Sequence, residues 1–221
     1  MAEAKRLVIF GDSIAKGVMF QDGRYHLCRA HDFDALAQQG VEVLNFAKMG
    51  ACTDTGLAIA KKQLELCQGA QVLLSFGGND CDFDWQAVSD HPEAHLPKIP
   101  AEQFLENYRA LMDLVRQTAS RVWLSSLVPL EAHRFLDHVS QGRSRENILT
   151  WLGDTDRIFR WQEYYNDLVC KLARELSCPL LELRPEFLKH PAFPALLSMD
   201  GIHPTQKGHD VIHRCVAEAI F

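Results

Sequence analysis

No uninterrupted apolar run in the 221 residues approaches the ~20 that a membrane-spanning helix requires. Positive charge is not in excess: 23 lysines and arginines against 29 aspartates and glutamates give −6, which leaves no electrostatic case for nucleic acid or an anionic membrane surface. A small molecule is the expected partner. No C-x-x-C pair occurs among Cys28, Cys52, Cys67, Cys81, Cys170, Cys178 and Cys215, so neither a zinc site nor a redox couple is signalled and the seven read as reduced thiols. The nucleophile elbow G-x-S-x-G is missing, as are internal repeats, low-complexity tracts and linkers, and one domain over residues 1–221 is expected. The first apolar strand begins after six residues, with no room for a secretory apolar region, so the expectation is a cytoplasmic chain.

What the chain does contain is ordinary globular composition, 47% hydrophobic and 24% charged, with strands and helices in alternation. Leu7–Phe10, Val41–Phe46, Gln71–Phe76, Arg121–Val128 and Pro179–Leu183 read as five strands. Helical spacing falls between them at 32–39, 53–68, 101–118 and 157–176, and a last helix opens with Pro204 at its first position. Residues 81–100, with Pro92, Pro97 and Pro100, and residues 130–160 lack a clear period and read as long loop segments. The alternation predicts an α/β fold: a three-layer α/β/α sandwich around a five-stranded parallel sheet of order 2-1-3-4-5, with a crevice where strands 1 and 3 end.

The residues at those strand ends carry the chemistry. Leu7-Val8-Ile9-Phe10 runs straight into Gly11-Asp12-Ser13, which puts a hydroxyl at the end of a strand; taken alone, Gly-Asp-Ser reads first as a helix cap, and its company later in the chain decides. Asp200-Gly201-Ile202-His203-Pro204 holds a carboxylate and an imidazole three residues apart. Acyl transfer by serine needs such a pair, the imidazole to take the hydroxyl proton and the carboxylate to fix its tautomer. Gly50 offers an unobstructed backbone N–H and Asn79, after Gly77-Gly78, a side-chain amide, both suited to an oxyanion.

In this order the four segments resemble the SGNH, or GDSL-like, hydrolase family, named for one serine, glycine, asparagine and histidine in four blocks. Gly11–Ser13 matches the first block, Asn45–Gly50 the second, Gly77–Asp80 the third and Asp200–Pro204 the last, so the likeness spans nearly the whole chain. Ile14 departs from it, standing where the name-giving tetrapeptide has leucine. The resemblance implies a flavodoxin-like sheet, a serine esterase without cofactor or metal, Ser13 as nucleophile, His203 as base and acid, and Asp200 as its orienting carboxylate. It implies an oxyanion hole from the Ser13 and Gly50 N–H groups and the Asn79 amide.

Thioesterase or acyltransferase chemistry on the same triad, and a non-catalytic ligand-binding module, are the alternatives. Asp80, Asp82 and Asp84 imitate the start of a calcium loop, but Trp85 and His91 stand where glycine and glutamate are required. His209 and His213 have i, i+4 spacing with no third metal ligand near in sequence and read as surface or core residues. Phe83, Trp85 and Trp151 lie in the two unassigned segments and are expected either to anchor those segments or to wall the substrate pocket.

Overall fold

The computed structural model describes residues 5–29 and 33–221. Its first half comprises β1 (Lys5–Gly11), an antiparallel hairpin of β2 (Val18–Gln21) and β3 (Arg24–Leu27), α1 (Asp34–Gln38), β4 (Val41–Asn45), α2 (Thr53–Gln63) and β5 (Gln71–Ser75). Then come α3 (Trp85–Asp90), α4 (Ala101–Val115), β6 (Arg121–Ser125), α5 (Ala132–Val139), α6 (Arg145–Leu152) and α7 (Arg157–Glu175). β7 (Leu180–Leu181), α8 (Leu183–Leu188), α9 (Phe193–Leu196) and α10 (Gln206–Ile220) end the described chain.

Five strands pair in parallel in the order β4-β1-β5-β6-β7, which is 2-1-3-4-5 when the sheet strands alone are counted. A parallel sheet covered on both faces needs apolar residues at successive positions, and each strand divides them between its two sides. Val8, Phe10, Val72, Leu74, Val122 and Leu124 pack against α4 and α7, whereas Leu7, Ile9, Leu73, Trp123 and Leu181 pack against α8 and α10. A third apolar cluster, built on Phe83, Trp85, Val88, Leu130, Phe135, Leu136, Ile148 and Leu152, takes no residue from a strand and sits with α3, α5 and α6.

Residues 81–100 carry the six-residue α3 and are otherwise irregular, whereas 130–160, expected as a long loop segment, holds α5 and α6; α7 begins at Arg157, where helical spacing places it. α3 and α6 are too short to display a clear period, whereas α5 carries Ala132, Phe135, Leu136 and Val139 at i, i+3, i+4 and i+7; capping residues mark all three, Asp84 accepting from the Gln86 and Ala87 N–H groups, Glu131 from His133 and Arg134, and Ser144 from Asn147. The hairpin was not foreseen, although Asp22-Gly23, both at positive φ, is a two-residue hairpin turn and Arg24-Tyr25-His26-Leu27 alternates polar with apolar; its strands are only four residues long and leave most side chains exposed. The helix expected from Asp32 is described from Asp34, Asp32 itself lying outside the described residues. α10 opens at Gln206 with Thr205 as its cap; Pro204 instead bridges to Leu197.

At the end of β5 the backbone turns toward Gly77–Asn79, and the fully buried Tyr108 hydroxyl accepts a hydrogen bond from the Phe76 N–H at 3.1 Å. Tyr108→Phe leaves that buried N–H without its partner, and the cost of an unmet buried donor is about 1–3 kcal/mol. Urea unfolding of the two proteins is expected to differ by that amount with an unchanged m value.

Candidate active site

Ser13 follows β1 directly, and no helix begins there. The Asp12 Oδ1 accepts from the Ile14 N–H at 2.9 Å, an Asx turn that swings the chain away from the sheet and leaves the serine hydroxyl over its carboxyl-terminal edge. His203 arrives from the loop before α10, 190 residues away in sequence. Its Nε2 lies 2.9 Å from Ser13 Oγ and its Nδ1 2.6 Å from Asp200 Oδ2. A carboxylate only accepts, so the ring proton sits on Nδ1 and the Nε2 lone pair faces the hydroxyl. All three side chains are nearly sealed from solvent, at 7%, 4% and 0% exposure for Ser13, His203 and Asp200. The loop that holds them turns at Gly201 with φ +77°, where a Cβ would meet the Glu131 carbonyl at 2.5 Å.

Gly50 and Asn79 line an open cavity together with Ser13 and His203. The Asn79 amide donates one N–H to the Ala51 carbonyl at 3.2 Å, which orients it and leaves its second N–H available. The aromatic trio also gathers here. Phe83, Trp85 and Trp151 line a second, more apolar cavity of about 740 Å³ including its mouth, which Ser13, Asn79 and His203 also border. Their rings meet edge to face, with Phe83 and Trp151 centroids 4.5 Å apart. Arg157, also on that wall, lies over the Trp151 ring at 5.0 Å and donates to the Trp151 carbonyl, which fixes its guanidinium in place.

Sequence reasoning missed several lining residues. Tyr25, on the unforeseen hairpin, sets its ring edge to face against His203 at 5.2 Å. Phe135 and Ile202 border both cavities, and no local pattern singles them out. Cys81 lines the apolar cavity, but burial pushes its thiol well above the ordinary value, and a protonated thiol is a poor nucleophile. The carboxylates at 80–84 do not converge: Asp80 takes the Thr53 N–H and hydroxyl, Asp82 takes Trp85 Nε1 and Lys98 Nζ, and Asp84 caps α3.

A sheet of this order with a Ser-Gly-Asn-His set along its carboxyl-terminal edge has the architecture of the SGNH hydrolases. The chain belongs to the GDSL-like lipase/acylhydrolase family, whose sequence profile matches residues 9–211. Among solved structures it resembles a lipase/acylhydrolase from Enterococcus faecalis (TM-score 0.68, 18% identity, 98% of this chain and 95% of the other). It also resembles an acetyl xylan esterase from Geobacillus stearothermophilus (TM-score 0.68, 19% identity, 97% and 93%). At such identities the likeness concerns the fold. The GDSL esterase/lipase WDL1 of Oryza sativa subsp. japonica is 22% identical over 147 residues, 66% of this chain and 51% of that protein, so the chain spans about half the length of this relative.

Two buried acids flank the site, and burial pushes the carboxyls of both Asp12 and Asp80 up to about 6. For Asp80 the hydrogen bonds from Thr53 oppose that rise without cancelling it. The folded protein therefore holds protons that the unfolded chain has released at the ordinary value of 3.8, and stability falls as pH rises from about 4 to 6. Each group contributes on the order of 3 kcal/mol to that fall. Asp80→Asn keeps an uncharged isostere in place. Urea midpoints measured from pH 4 to 7 are expected to decline less steeply in the variant than in the parent protein.

Proposed function

We propose that this protein is a serine esterase in which one domain over residues 1–221 carries the whole catalytic apparatus. The carrying observation is the unbroken line from Ser13 Oγ through the His203 ring to Asp200 at the junction of two cavities. Ser13 attacks the carbonyl carbon of a carboxylic ester as His203 Nε2 takes the hydroxyl proton, and Asp200 stabilises the imidazolium that forms. The tetrahedral oxyanion is met by the Ser13 and Gly50 backbone N–H groups and by the second N–H of Asn79. His203 then gives its proton to the leaving alcohol, the acyl group stays on Ser13, and a water activated by the same imidazole releases the acid.

The apolar cavity argues for an ester with an apolar acyl or leaving group, because its aromatic wall offers contact area. The more open cavity, with Tyr25, His138 and Arg143 on its rim, suits the polar side of the ester. No helix among the described residues is long and apolar enough to cross a membrane.

Ser13→Ala is expected to lower kcat on p-nitrophenyl esters by at least ~10³-fold and to abolish labelling by a serine-directed phosphonate, with the fold intact by circular dichroism. Asn79→Ala is expected to lower kcat by about 10²–10³-fold with little change in KM. Retained turnover in Ser13→Ala overturns the assignment.

Truncation of the wall tests the pocket separately. Trp151→Ala is expected to shift relative kcat/KM between short-chain and longer-chain esters by about 10–200-fold, the worth of one apolar contact. A parallel loss on every ester with a fall in Tm would make Trp151 a packing residue only.

A further inference from the structure

We propose that Cys28, His209 and His213 form a binding site for one zinc ion, with Cys28 remote in sequence from the two histidines and the whole separate from the esterase machinery. His209 and His213 share a face of α10 at i, i+4, and the fold brings Cys28, the residue after β3, against them. One donor atom from each lies within 4.8 Å of the other two. Tetrahedral zinc, with Zn–S of about 2.3 Å and Zn–N of about 2.0–2.1 Å, sets its ligand atoms about 3.3–3.6 Å apart, so the three close by about 1 Å through side-chain torsions.

The state of His209 is the second observation. Its ring has no solvent exposure, its Nε2 lies 2.9 Å from the Val18 carbonyl, and its Nδ1 has no hydrogen-bond partner. A carbonyl only accepts, so Nε2 carries the proton and Nδ1 the lone pair. An imidazole whose far N–H is fixed on a backbone carbonyl, with its other nitrogen unmet, is arranged as metal-ligating histidines are.

On binding, the Cys28 thiol loses its proton to solvent and coordinates as thiolate, while both histidines bind neutral. The mixed sulfur and nitrogen donor set suits zinc over calcium or magnesium. The ion would act on the hairpin. Val18 opens β2, Cys28 follows β3, and the Cys28 N–H donates to the Gly17 carbonyl at 2.8 Å, so a bound ion ties both ends of the hairpin to α10 while Tyr25 rests on His203.

Cobalt titration of the full chain, stripped of metal with a chelator, tests the site. The expected result is one equivalent of Co²⁺ with a thiolate-to-cobalt charge-transfer band, displaced by Zn²⁺, and a rise in Tm with zinc that the chelator reverses. Cys28→Ser is expected to lose the band and His213→Ala to weaken binding at least ~10-fold. The parent protein's own stoichiometry and Tm decide the matter if a variant does not fold. Absence of cobalt and zinc uptake at slight molar excess, or an undiminished band in Cys28→Ser, overturns the proposal. Ser13 labelling by phosphonate in the stripped protein reads the esterase assignment independently.

Discussion

A carboxylate closed off from water has to find its hydrogen bonds inside the protein, and Asp200 finds three within its own tight loop. Its Oδ1 accepts from the Ile202 and His203 N–H groups and its Oδ2 from His203 Nδ1. Those bonds fix the imidazole in plane and tautomer before any substrate arrives. The Gly201 carbonyl in turn accepts from the Glu131 N–H at 2.8 Å, and Glu131 caps α5. The carboxylate that holds the base is thus tied by one backbone bond to the helices that roof the apolar cavity.

Legibility in the sequence follows how local each signal is. Ser13, Asn79 and His203 stand in short segments whose neighbours in the chain set their conformation, and the apolar runs of β1 and β5 announce a sheet by themselves. The cavity wall was legible only in part. Phe83, Trp85 and Trp151 stand out as aromatics between the motif segments, but the choice between anchoring a segment and facing a pocket is set by packing on residues far away in sequence. Tyr25 was missed although an Asp22-Gly23 turn signals its hairpin, because strands of four residues at the rim bury too little to stand out as a core element. The third donor beside His209 and His213 lies some 180 positions earlier and is brought near only by the fold.

The same crowding that arranges the site also loads it with unfavourable charge. Asp12 and Asp80 are both buried beside the nucleophile's turn, Asp80 with one carboxyl oxygen lacking a partner. Their roles in the backbone explain their presence: Asp12 shapes the turn that presents Ser13, and Asp80 anchors the start of α2 through Thr53. Geometry at the nucleophile is thereby held at the expense of stability near neutral pH.

The apolar cluster of α3, α5 and α6 borrows nothing from the sheet. A roof with its own small core can change its side chains without disturbing the strand ends beneath it, so long as the Glu131 bond and the Ile202 packing that join it to the Asp200 loop are kept. Selection for a new ester can therefore act on one module while the serine, the imidazole and the carboxylate keep their places, and chimeras that exchange residues 81–100 and 130–160 between relatives are a rational route to new substrate ranges.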